Sequence, residues 1–162
     1  MSADFSRDFD LPDAAATARL GAALAPLLAA GDLILLRGDL GAGKTALARA
    51  LIGAHLAAHG LAEDVPSPTF TLVQTYESPV LLIAHVDLYR IENEEELREL
   101  GLSEMLDEGI AIVEWPERAE AALARLSPSH LDISLSLMPE GWRRARLTGS
   151  GSWAARLEGL KS

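Results

Sequence analysis

The sequence predicts an α/β fold: one domain over residues 1–162, with a mostly parallel sheet flanked by helices and a C-terminal β-hairpin. Three observations predict it. Leu33 to Leu36 and Ile110 to Val113 are short, continuous apolar runs, the form taken by strands buried on both faces. Between such runs lie longer stretches rich in Ala and Leu, whose spacing is helical. A chain of 162 residues with 49% hydrophobic side chains is large enough to bury a core and too apolar to stay disordered.

The elements follow in order. After Pro12-Asp13, Leu20, Leu24 and Leu27 recur at helical spacing and predict a helix over 13–29. Gly31-Asp32 turns the chain into the strand at Leu33 to Leu36. A glycine-rich loop comes next, and Ala46 to Ala58 reads as a helix ended by Gly60. Val65-Pro66-Ser67-Pro68-Thr69 is stiff and extended, because two prolines remove donors and restrict their predecessors. Phe70 to Tyr76 and Val80 to Val86 read as strands around a Glu77-Ser78-Pro79 turn. Helices are expected over Glu92 to Leu100, around Ser103 to Leu106, and over Glu117 to Leu126, with the strand Ile110 to Val113 among them. Leu131 to Leu137 alternates apolar and polar residues as a half-buried strand does, with Arg143 to Leu147 as its hairpin partner. The tail, 150–162, has weak amphipathic content, and no repeat or linker divides the chain.

Charge and composition exclude several functions. The 24 acidic and 14 basic residues leave a net charge of −10, which repels phosphate backbones over the surface as a whole. Zero cysteines exclude disulfide scaffolds, thiol nucleophiles and thiolate metal sites, and fit a reducing cytoplasm. The acidic residues Asp4, Asp8, Asp10 and Asp13 near the start do not make an export signal, and no apolar run reaches the length of a membrane span. The expectation is a cytoplasmic protein without a membrane.

The strongest local signal is Gly38-Asp39-Leu40-Gly41-Ala42-Gly43-Lys44-Thr45, which fits G-x-x-x-x-G-K-[ST] between a predicted strand and a predicted helix. Glycines let backbone N–H groups curl round an anion, and the helix N-terminus adds partial positive charge. Lys44 reaches the outer phosphates and the Thr45 hydroxyl ligates magnesium. These residues predict a single P-loop NTPase domain that takes a nucleotide and Mg2+.

Such a site needs acids at the carboxyl ends of neighbouring strands. Glu114 follows Ile110-Ala111-Ile112-Val113, and Asp87 closes Leu81 to Val86. On spacing alone, metal binding and orientation of the attacking water stay open for both. Ser67-Pro68-Thr69 offers hydroxyls on a stiff loop suited to sensing the γ-phosphate. Trp115, beside Glu114 and before Pro116, is either a core aromatic or a ring displayed near the site. His85 is either a histidine of the core or one that stands behind the site's ligands, or else a catalytic one. Arg143, Arg144 and Arg146 form the one dense basic cluster, facing a nucleotide or partner or lying on a solvated hairpin.

These residues resemble the TsaE (YjeE) family, the small ATPase of bacterial tRNA threonylcarbamoyladenosine synthesis. The blocks that carry the resemblance are Gly38 to Thr45, Ser67-Pro68-Thr69-Phe70-Thr71-Leu72-Val73, His85-Val86-Asp87-Leu88-Tyr89-Arg90, Glu96-Leu97 before Leu100-Gly101-Leu102, and Ile112-Val113-Glu114-Trp115-Pro116-Glu117. They stand in family order over about residues 11 to 118. The resemblance implies ATP and magnesium, with Thr45 and Glu114 at the metal, Asp87 in the catalytic centre with Lys44 and Glu114, and Ser67-Pro68-Thr69 as a switch-like loop. It places Thr17 and Arg143 in the stretches that contact adenine. It also implies TsaD and TsaB as protein partners, which carry out the transfer that this ATPase sustains, so that tRNA is met only indirectly. Two other readings of a short P-loop chain are a small-molecule kinase and an ATP-gated binding module without productive turnover.

Overall fold

The computed structural model describes residues 4–68 and 72–160. Thr69 of the expected switch loop, and the start of the strand expected at Phe70, lie outside the described residues. In chain order the elements are β1 (Phe5–Leu11), α1 (Ala14–Leu24), β2 (Leu33–Arg37), α2 (Lys44–Ala58), β3 (Val73–Glu77), β4 (Leu82–Asp87), α3 (Glu94–Glu99), α4 (Leu102–Glu108), β5 (Gly109–Glu114), α5 (Glu120–Ala124), β6 (His130–Leu137), β7 (Arg143–Ser150) and α6 (Ser152–Glu158).

All seven strands join one sheet in the order β1-β7-β6-β2-β5-β4-β3. The inner four, β6, β2, β5 and β4, are mutually parallel. Both edges are antiparallel, so the sheet as a whole is mixed where a mostly parallel one was expected. Period-two alternation explains the continuous apolar runs. Ile34 and Leu36 of β2 and Ile110 and Ile112 of β5 join the core formed with α1, α2 and α6. Leu33, Leu35, Ala111 and Val113 join a second core beneath α3, α4 and α5.

Helix boundaries follow local chemistry. The Asp13 carboxylate accepts from the Ala16 amide at 2.8 Å and starts α1. The helix expected over 13–29 stops at Leu24, and Ala25–Leu27 makes one 3-10 turn round Pro26, which has no N–H to continue the ladder. Asn93 caps α3, whose first turn holds Glu94, Glu95 and Glu96 where the dipole favours them. The helix expected over Glu117 to Leu126 is a 3-10 turn, Pro116–Ala119, followed by the shorter α5.

Two elements were not foreseen. β1 pairs along its whole length with β7, from Phe5 opposite Gly149 to Leu11 opposite Arg143, and extends the β6–β7 hairpin to three strands. The tail, to which its weak amphipathic content assigned no element, contains α6, anchored by the buried Trp153 and Leu157. Among the described residues, no helix is long and apolar enough to cross a membrane.

Candidate functional site

The carboxyl ends of β2, β4 and β5 lie side by side, and the residues that follow them converge. Gly38, Gly41 and Gly43 all have positive φ, at 147°, 84° and 106°, which lets the chain leave β2, coil tightly and enter α2. A side chain at Gly38 would meet the Leu135 carbonyl at 2.7 Å, so the first glycine is required by close approach as well as by conformation. Leu40 stands out in solvent at 89% exposure while Ala42 is buried, and Asp39 and Gly41 are exposed. The first N–H groups of α2, beginning at Lys44, have no partner within the helix.

Lys44 and Thr45 open α2. Lys44 is buried, and its Nζ donates to the carbonyls of Gly38 and Asp39. An ammonium has three donors, so one N–H remains for an oxyanion. Nζ also lies 3.9 Å from the Trp115 ring centroid. Burial pulls the Lys44 ammonium below its ordinary pKa, and the carboxylates of Glu114, Glu117, Asp87 and Asp39 oppose that pull.

Alternation also places the acids. Ile83, Ile110 and Ile112 face α2, so His85 and Asp87 on β4 and Glu114 on β5 point to the same side at the ends of those runs. Asp87 and Glu114 are register partners on adjacent parallel strands, and both are buried. The Thr45 hydroxyl donates to Glu114 Oε1 at 2.8 Å. His85 Nε2 lies 2.7 Å from Glu114 Oε2. Asp87 Oδ1 accepts from the Tyr89 amide at 2.8 Å, which turns the chain directly after β4.

Trp115 is half-buried and adopts a left-handed backbone, φ 59° and ψ 48°. For a bulky residue that conformation is strained, and such strain collects at functional sites. Its ring packs on Tyr89 with centroids 5.0 Å apart, and the Arg118 guanidinium lies 5.3 Å from the Tyr89 ring. The sequence alone does not single out Tyr89, although it stands two residues after Asp87 in the same block.

The three clustered arginines separate. Arg143 Nη2 donates to the Gly41 carbonyl at 3.1 Å and its stem lies against Gly43, so it belongs to the glycine loop. Arg144 and Arg146 lie on the opposite face and pair with Asp10 and Asp8 of β1. Thr17 is half-buried on α1, where its amide bonds to the Asp13 carbonyl, and among the described residues no hydrogen bond joins it to the loop. Ser67 is half-buried and Pro68 buried, with the Arg49 guanidinium of α2 donating to the Val65 carbonyl at 2.8 Å to hold this extended segment.

A groove of about 500 Å³ lined by Ala25, Leu28, His55, His59 and Leu81 sits beside the far end of α2. An anion site made from a loop and a helix end needs no such volume. Among the described residues no group of three His, Asp or Glu side chains is arranged to hold a metal ion. Thr45 and Glu114 supply two hard oxygen donors, the set that suits magnesium when phosphates and waters complete its shell.

Fold and site together define an α/β protein that brings a glycine loop, a buried lysine and paired carboxylates to one end of its parallel strands. The family model described as threonylcarbamoyl adenosine biosynthesis protein TsaE matches residues 11–145. The chain belongs to the TsaE family of tRNA threonylcarbamoyladenosine biosynthesis proteins. It is similar to proteins of that name from Rickettsia felis (35% identity, 90% of this chain and 82% of the relative) and Nostoc sp. (38%, 91% and 89%). The relative from Aquifex aeolicus is 37% identical over 81% of this chain and 87% of its own. Among solved structures, Bacillus subtilis YdiB superposes with a TM-score of 0.75 at 25% identity, covering 97% of this chain and 94% of that one.

Proposed function

We propose that this chain is a P-loop ATPase, a single domain that binds and hydrolyses ATP with magnesium in the cytoplasm. It sustains turnover of a tRNA threonylcarbamoyl transferase formed by TsaD and TsaB. The observation that carries the reading is the hydrogen bond from the half-buried Thr45 hydroxyl to the buried Glu114 at the start of α2, with Lys44 on the glycine loop beside it.

Each residue has a separate task. The loop Gly38 to Thr45 and the N-terminus of α2 cradle the phosphates, and the free donor of Lys44 meets an outer phosphate oxygen. Thr45 and Glu114 hold magnesium, which when bound offsets charge developing on the phosphate oxygens. Asp87 orients and activates the attacking water, and its burial beside Glu114 excludes competing solvent. Ser67-Pro68-Thr69 responds to the γ-phosphate, and Trp115 with Tyr89 forms the aromatic wall beside Lys44. Thr17 and Arg143 are the adenine-side contacts, a role the family resemblance suggests, and the Arg143 bond to Gly41 holds that side chain beside the phosphate loop.

The test follows phosphate release by the purified chain with and without TsaB and TsaD. Hydrolysis is slow alone and rises with the partners. Lys44→Ala and Glu114→Gln abolish the stimulated rate, and an unchanged rate in either variant contradicts the site assignment.

A further inference from the structure

We propose that His85 is a positioning residue that fixes the Glu114 carboxylate, through which it sets the strength of magnesium binding. The inference rests on the ATPase reading above and assigns to it a residue that no step so far has used.

His85 has no access to solvent. It lies on β4 two residues before Asp87 and on the same side of the sheet, which brings its ring beneath the end of β5. Its Nε2 is 2.7 Å from Glu114 Oε2, while the other oxygen, Oε1, accepts from Thr45 at 2.8 Å. A carboxylate has no proton to give, so Nε2 is the donor. Among the described residues, His85 Nδ1 has no hydrogen-bond partner. The ring is therefore held at one nitrogen, and that nitrogen is spent on Glu114.

The consequence is geometric. The terminal torsion of a glutamate is broad, and an unrestrained carboxylate presents its oxygens in many directions. Here each oxygen has its own donor, so the carboxylate plane is fixed with Oε1 toward Thr45. Removing the His85 donor leaves Oε2 buried without a partner and frees the torsion. Oxygen donors to magnesium must meet near-ideal octahedral geometry, which makes such freedom costly. Residues that orient a metal ligand from behind typically change metal affinity or activity by about 10–100-fold when lost.

The test compares His85→Gln with His85→Asn. The glutamine amide nitrogen falls near the position of Nε2 and still reaches Glu114, whereas the asparagine amide falls near Nδ1 and does not. Both bury one amide, which keeps polarity alike. Binding of a non-hydrolysable ATP analogue is measured by calorimetry with magnesium and with EDTA, together with thermal melts and the magnesium dependence of hydrolysis. His85→Asn is expected to raise the magnesium concentration for half-saturation by about 10–100-fold. His85→Gln stays within about threefold of wild type, and both bind the analogue in EDTA as wild type does. Equal behaviour of the two variants in magnesium, or an equal loss in EDTA, overturns the proposal. Wild-type protein that shows no magnesium-dependent binding contradicts the ATPase reading itself, a result separable from any difference between the variants.

Discussion

Asp32 and Arg156 hold the C-terminal helix α6 to the entry of β2, and their replacement has a calculable effect. Asp32 is almost fully buried, and its Oδ2 accepts both the Ala29 amide at 2.8 Å and Arg156 Nη1 at 2.7 Å. Arg156 also donates to the Leu27 carbonyl at 3.0 Å and lies over the Trp153 ring. Breaking a buried ion pair typically costs ~3–5 kcal/mol. The Arg156 side chain retains 20% exposure and its Leu27 bond, so Asp32→Ala is expected to cost less, about 2–3 kcal/mol. Because both donors converge on one oxygen, an asparagine carbonyl turned to that place keeps both bonds, and Asp32→Asn costs about 1 kcal/mol. For a chain of this size the alanine variant melts roughly 4–12 °C lower. Thermal and urea unfolding of both variants checks this. An unchanged melt for Asp32→Ala, or equal losses in the two variants, refutes the reasoning.

Gly109→Ala should prevent stable folding, with a cost above about 3 kcal/mol, since its Cβ would lie 1.7 Å from the Leu82 carbonyl in the β4–β5 pairing. Gly53→Ala, in open space within α2, should instead raise stability by about 0.5–1 kcal/mol, and urea unfolding measures both. Burial, aided by His59, lowers the His55 pKa from 6.5, so the unfolded chain binds more protons just below that pH. Stability is then fullest above about pH 6.5 and falls as pH drops; His55→Gln flattens the urea-midpoint slope between pH 5 and 7, and an unaltered slope counts against it. With the net charge at −10 and Arg144 and Arg146 paired to Asp10 and Asp8, the isolated chain should not saturate unmodified tRNA below ~100 µM at physiological salt. A filter-binding or fluorescence titration that saturates at low micromolar tRNA contradicts that expectation.

Much of the site was legible because its residues sit at ends of patterns. Glu114 closes a continuous apolar run and Asp87 one broken only by His85, and such runs are strands whose carboxyl ends share one edge in a parallel sheet. The glycine loop is legible because its steric needs, three positive φ values and a close carbonyl, admit few other residues. Thr45 and Glu114 were expected together, but the bond from His85 to Glu114 was not legible, since it depends on how β4 registers against β5. β1 is not legible in the sequence because Ser6, Asp8 and Asp10 alternate with half-buried positions on an outer strand, so its charges outweigh its periodicity. The helix α6 rests on Trp153 and Leu157, too few anchors to mark a helical face before their partners on β1 and β7 are known. The −10 charge carried information that only the fold completed: two of the three clustered arginines are neutralised by β1, and the third is committed to the glycine loop.

The most direct measurement is the threonylcarbamoyladenosine content of tRNA in cells depleted of this protein and complemented with wild type, Lys44→Ala or Glu114→Gln. The account predicts that depletion lowers the modification, that wild type restores it, and that neither variant does despite equal expression. Full restoration by Lys44→Ala would contradict the claim that ATP turnover at this site sustains the modification.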